Sequence, residues 1–134
     1  MPVYRNLQDA LLKVTRALPT ADGTVTSADI DLQNTAPGVG LDNVELVIDL
    51  PALTSTHLPS ADTLTITLQG GASATPSTSL GITKVVTGTG STIAAQSLRF
   101  RLPPDCPRYI NAKFVAAGGT GDISGVSATV GLRF

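Results

Sequence analysis

The chain reads as an all-β protein: an antiparallel β-sandwich or jelly roll with an N-terminal amphipathic arm or short helix. Three observations predict it. Apolar and polar residues alternate with period two in seven short segments from residue 28 onward, the pattern of strands buried on one face. Clusters of Gly, Pro, Ser and Thr separate those segments. No helical pattern of about ten to fifteen residues lies between them, so crossover helices and a parallel sheet are not expected.

The N-terminal segment departs from this rhythm. In NLQDALLKVTRAL (6–18), Leu7, Ala10, Leu11, Val14 and Leu18 recur at helical spacing. Asn6 suits a helix cap, with Asp9 reaching back to it. The spacing predicts an amphipathic helix of about three turns. The competing reading is an extended arm lying on a neighbouring subunit. Pro19 ends either structure. The chain then divides into residues 1–22, the arm or short helix, and residues 23–134, a single sandwich domain. Tyr4, Leu7, Leu11, Val14 and Leu18 are the candidate protein-interface residues. Removing residues 1–20 is expected to weaken association and leave the sandwich folded.

The strands follow in order. In ADIDLQ (28–33), Ala28, Ile30 and Leu32 alternate with Asp29, Asp31 and Gln33. NTAPGVG is a turn, and NVELVIDL (43–50) sets Val44, Leu46, Ile48 and Leu50 against Glu45, Val47 and Asp49. PALTSTHLPSA (51–61) is a loop fenced by Pro51 and Pro59. DTLTITLQ (62–69) is the clearest strand, with Leu64, Ile66 and Leu68 inward and Thr63, Thr65 and Thr67 outward. After the loop GGASATPSTS come LGITKVV (80–86) and the turn TGTGS. AAQSLRFRL alternates Leu98, Phe100 and Leu102 with Ser97, Arg99 and Arg101. RYINAKFVA alternates Ile110, Ala112, Phe114 and Ala116 with Tyr109, Asn111 and Lys113. VSATVGLRF closes with Val126, Ala128, Val130 and Leu132 on one face.

Bulk properties narrow the function. The 134 residues fit one domain, large enough to fold without staples. Cys106 is the only cysteine, which rules out an internal disulfide and a cysteine-based zinc site. Nine Lys and Arg against ten Asp and Glu give a net charge of −1, so the basic field that nucleic acid demands is missing. No uncharged apolar run approaches the ~18 residues of a membrane span, and the N-terminus holds no apolar core of signal-peptide length. Charged residues make up 14% of the chain, below the roughly 25% usual in soluble domains. Hydroxyls supply the polarity instead, and such a surface is poorly protected against association.

The residues that could carry chemistry read as structural. Cys106 lies in RLPPDCPR among three prolines with no nucleophile's partner, so it reads as filler in a rigid crossover. His57, the sole histidine, sits in TSTHLPS beside Ser55 and Ser60, outside any nucleophile elbow, and reads as an exposed loop residue. Asp29 and Asp31 share a strand face without the further oxygens calcium requires. Asp122 reads as a turn residue. The glycine tracts at 88–90 and 118–121 precede strands rather than helices, which points to hairpin turns and not to phosphate cradles. Arg99 and Arg101 share one face, with Arg108 past the turn, and form a stripe expected to pair with acids in the sheet or on a partner. Neither a cofactor nor a metal is expected, and no catalytic constellation appears in the chain.

The order of these elements resembles the jelly-roll capsid cement (decoration) proteins of tailed phages, the family typified by the Bordetella phage cement protein. The likeness runs through the hydrophobic N-terminal segment, SADIDLQ, NVELVIDL, DTLTITLQ with its glycine-rich tail, LRFRLP, RYINAKF and VSATVGLRF. It covers nearly the whole chain and rests on element order, length and the LP…RYI signature. The resemblance implies a non-enzymatic, structural virion protein made in the host bacterial cytoplasm. It would act as a homodimer or homotrimer on the outer surface of an icosahedral head, bridging capsomers of an HK97-type major capsid protein. A carbohydrate- or receptor-binding sandwich of a phage tail or fibre is the alternative, though few aromatic residues remain for stacking on sugars. A cupin-like enzyme needs a histidine cluster, and the chain has one histidine.

Overall fold

Period-two burial organises the chain into strands that each bury one side. The computed structural model describes residues 8–34, 36, 44–119 and 121–133, with side chains from residue 12 onward. Among these are nine strands: β1 (Gln8–Ala17), β2 (Thr24–Thr26), β3 (Ile30–Asp31), β4 (Glu45–Leu50), β5 (Thr63–Gly71), β6 (Thr78–Thr87), β7 (Gln96–Arg101), β8 (Tyr109–Ala117) and β9 (Ser127–Arg133). No helix occurs among the described residues.

The strands form two sheets. The first has the order β1-β9-β4-β7. The second has the order β2-β8-β5-β6, with β3 also on β8. Every pairing is antiparallel. β2 and β3 both lie along β8 and act as one interrupted strand. Connections cross from sheet to sheet except β2–β3 and β5–β6, and β5–β6 is the one hairpin of consecutive strands. This is the double-sheet winding of a jelly roll.

The inner faces meet as the alternation predicts. Leu46, Ile48 and Leu50 of β4 and Ala128, Val130 and Leu132 of β9 line one leaf. Leu64, Ile66 and Leu68 of β5 and Ile110, Ala112, Phe114 and Ala116 of β8 line the other, all of them buried. Phe114 is the largest fully buried side chain. Removing it from water contributes about 2–3 kcal/mol.

The N-terminal helix is not formed. Residues 8–17 are β1, whose partners run from Lys13 opposite Gly131 to Ala17 opposite Ser127. The cause is tertiary. The edge of β9 offers a row of hydrogen-bonding groups that an isolated segment cannot match, and β-branched Val14 and Thr15 suit a strand. The two periodicities overlap here: Leu12 and Val14 are also two apart, and both pack half-buried on the core. Leu18 turns the corner, 2% exposed, with its amide donating to the Val126 carbonyl at 2.9 Å. Of the candidate interface residues, Val14 and Leu18 therefore pack inside their own domain. Tyr4, Leu7 and the Leu11 side chain lie outside the described residues. Residues 8–18 belong to the sandwich, so a deletion through residue 20 removes an edge strand.

The glycine tracts differ from the expected hairpin turns. The segment after β6 and the segment after β8 are cross-sheet connections. Their glycines admit the β4–β5 loop: a Cβ on Gly88 would stand 1.9 Å from the Pro59 carbonyl oxygen, and one on Gly121 2.4 Å from that of His57. Leu58 and Ile123, 2% and 1% exposed, close the core beneath this end. At the opposite end, the PPDCP crossover from β7 to β8 puts Cys106 in the core with no exposed surface.

Candidate functional site

The side chains singled out in the sequence are dispersed. Cys106 is sealed, and its thiol is pushed up to about 11, first by burial and then by the nearby Asp105 charge. His57 is half-buried rather than exposed, and its Nδ1 accepts the Thr54 amide at 3.2 Å within its own loop. Asp122 accepts the Ser124 amide at 2.9 Å, and its carboxyl is held below the usual range by Ser124, through side chain and then backbone. It is the turn residue the sequence suggests.

Asp29 and Asp31 do not act as a pair. Asp31, on β3, receives a two-pronged contact from Arg108, Nε at 2.7 Å and Nη2 at 2.8 Å. The Arg108 hydrogen bond is the main force holding the Asp31 carboxyl below the ordinary carboxylate range. Arg108 also lies over the Tyr109 ring, 5.1 Å from its centroid. Asp29 belongs to the turn before β3. One of its oxygens accepts the Thr75 amide and the other accepts Asn111 Nδ2 at 3.1 Å.

This second contact opens onto a network that the sequence did not disclose. Asn111 Nδ2 also donates to the Pro76 carbonyl at 3.2 Å, and Gln69 Nε2 donates to the Ser77 carbonyl at 3.0 Å. Three polar groups from β8, β5 and the β2–β3 turn thus grip the β5–β6 loop by its backbone. Thr75 needs that grip, because its φ of 56° is unfavourable for a β-branched residue. The loop overhangs a recess of about 430 Å³ lined by Thr26, Asp29, Asn111 and Lys113 among others. Asn111 is 3% exposed and its Oδ1 has no hydrogen-bond partner. Both amide hydrogens are engaged by acceptors, which fixes the orientation of the side chain. Alternation sets Asn111 on the polar side of its strand; its meeting with Gln69 and loop 72–77 depends on register and leaves no local signal.

The larger features are the two outer sheet faces. On the first sheet, register aligns Arg133, Glu45 and Arg101 in one row, Lys13, Gly131, Val47 and Arg99 in the next, and Thr15, Thr129, Asp49 and Ser97 in a third. Glu45 thus has an arginine on each flank, a favourable cross-strand arrangement. Ser97 Oγ donates to Asp49. The expected arginine stripe is divided: Arg101 lies opposite Glu45 and Arg99 opposite Val47, while Arg108 is held by Asp31 on the second sheet. The face carries four cations and two anions, so 4 − 2 leaves it at +2.

On the second sheet the rows read Ala117, Thr63, Thr87; then Thr24, Val115, Thr65, Val85; then Thr26, Lys113, Thr67, Thr83. Lys113 is the only charge in them. Val85, 49% exposed, is the one large hydrophobic standing exposed among the described residues.

Among the described residues no three of His, Cys, Asp and Glu gather as a metal site, and no helix is long and apolar enough to cross a membrane. Fold and surfaces together define a jelly-roll sandwich with two chemically distinct outer faces. Compared with family models and with curated proteins, the chain matches none.

Proposed function

We propose that this protein is a capsid cement protein, a non-enzymatic component of a tailed-phage virion. It sits on the outer surface of an icosahedral head, bridges capsomers of an HK97-type major capsid protein, and works as a homo-oligomer. The observation that most supports this is the jelly-roll winding, which keeps the element order in which the sequence resembles that family. The physical logic agrees. A standard interface buries about 1,600 Å², and repetition over a symmetric shell turns modest contacts into strong attachment. Two outer sheet faces on one small domain suit a protein that must touch more than one neighbour.

The test is co-sedimentation of the purified protein with empty heads assembled from the HK97-type capsid protein of its own phage. Binding at a fixed ratio to the capsid protein, with heads that rupture at a higher temperature, is the expected result. Heads that pellet without it refute the reading.

The recess beneath the β5–β6 loop favours a second reading, a saccharide- or receptor-binding module. Its volume falls within the ~300–1,000 Å³ range of ligand sites, and its hydroxyl, amide, carboxylate and ammonium groups match a polyhydroxylated ligand. Glycan-array binding that Asn111→Ala abolishes would favour this over the capsid role.

A further inference from the structure

The recess beneath the β5–β6 loop holds two groups that the fold leaves unanswered. The first is Asn111. It lines the recess, is 3% exposed, and its Oδ1 has no hydrogen-bond partner. Its amide hydrogens are committed to Asp29 and to the Pro76 carbonyl, so turning the amide over would set an oxygen against two acceptors. A buried acceptor left this way gains from a donor brought by another molecule. The second is Lys113. It is half-buried, lines the same recess and enters no ion pair among the described residues. Register sets it between Thr26 and Thr67, with no acid in its row.

We infer that this recess binds a uronic acid, a sugar ring bearing a carboxylate, with that carboxylate on Lys113 and ring hydroxyls donating to Asn111 Oδ1 and to Asp29. This deepens the saccharide-binding reading and rests on it, not on the capsid role.

The two unanswered groups select the class together. A simple carboxylate such as acetate satisfies Lys113 and brings no donor to Asn111. A neutral sugar does the reverse. Among the described residues no aromatic side chain lines the recess, so a neutral sugar finds no ring face to lie against and charge has to supply the affinity. The volume of about 430 Å³ suits a sugar ring. Asp29 is no bare carboxylate: one oxygen accepts the Thr75 amide and the other Asn111 Nδ2. Its remaining lone pairs are free to take hydroxyls. The hydroxyl-bearing Thr26, Thr75 and Ser77 add further partners around the rim. Thr75 is held over the recess at a φ of 56° by the same contacts, and backbone strain kept in this way gathers at ligand clamps.

NMR titration of the isotope-labelled full chain with glucuronate, glucose and acetate tests this. Glucuronate at millimolar concentration moves the Asn111 side-chain amide signals and the Thr75 amide. Glucose binds about tenfold more weakly, because it lacks the charge-assisted contact. Acetate leaves the Asn111 signals in place. Lys113→Ala lowers glucuronate affinity about tenfold, to that of glucose. Lys113 stands on an outer sheet face, so K113A keeps its fold even if Asn111→Ala, which releases the loop, does not; circular dichroism verifies both. Lys13→Ala, on the other sheet, leaves binding unchanged. Glucuronate that binds no better than glucose, or as well to K113A as to the wild type, overturns the uronic acid and leaves a saccharide site standing. Acetate that matches glucuronate reduces the recess to a lysine with a counter-ion and overturns the inference. If no sugar moves the Asn111 signals, the inference and the saccharide reading fall together.

Discussion

Cys106 gives the sharpest test of how the β7–β8 corner is built. A free thiol at its ordinary value of 9.0 is about one-tenth thiolate at pH 8. Raised to about 11, it is about one-thousandth thiolate, a hundredfold decrease before access is considered. Access lowers reactivity further, since the residue has no exposed surface and its amide is tied to the Pro103 carbonyl at 3.0 Å. Reaction therefore has to wait for the corner to open. The assay is labelling with a chromogenic disulfide at pH 8, with and without concentrated urea. One equivalent reacts at once in urea, and the folded protein reacts at least about a hundredfold more slowly. Equal rates refute the sealed corner and return Cys106 to the list of reactive groups. The pH dependence follows in sign. The folded thiol holds its proton more tightly than the unfolded one, so its contribution to stability is complete below pH 9 and is lost as the pH rises through about 11. Urea midpoints measured from pH 8 to 11 should fall across that window, and Cys106→Ala should flatten the fall.

Other perturbations separate the remaining arguments. Phe114→Ala removes the largest fully buried side chain and lowers the free energy of unfolding by about 3–5 kcal/mol in urea titration. Gly88→Ala drives a Cβ into the Pro59 carbonyl and costs about 2–3 kcal/mol. Gly81→Ala meets open space and costs only the ~1 kcal/mol of its positive φ. Equal losses for the two would contradict the close loop packing. Lys84 stands exposed on the edge strand β6 opposite inward-facing Ile66, so Lys84→Ile removes a charge that protects this edge, and light scattering on warming should show earlier aggregation. Deleting residues 1–20 strips β1 from β9 and the Leu18 plug from the core, so a deletion variant that still unfolds cooperatively at the wild-type temperature would show β1 to be dispensable.

Residues with strong alternation were legible from the chain alone. Leu64, Ile66 and Leu68, or Ile110, Ala112 and Phe114, can face a core only as strands, and all six are buried. β1 was not legible, because Leu7, Ala10, Leu11, Val14 and Leu18 satisfy a helical period and the deciding partner, β9, is more than a hundred residues away. β2 is three residues long, too short to show a period. The fate of Asp29 and Asp31 hinged on a bend after β2 that sends one to the Thr75 amide and the other to Arg108. The threonine face is an intermediate case. Each outward threonine was visible in its own strand, but their assembly into one field required the order β2-β8-β5-β6, which is a non-local property.

The pairing of β1 with β9 sets Gln8 beside Arg133 in an antiparallel ladder. A tug on those two positions would part the ladder like a zip, one rung after another, rather than shearing many rungs together. Tension entering there meets the weakest direction of the sandwich. Pressure spread over the broad sides of the leaves meets the whole interlocked core at once. A domain wound this way resists pressure on its leaves better than tension applied at Gln8 and Arg133.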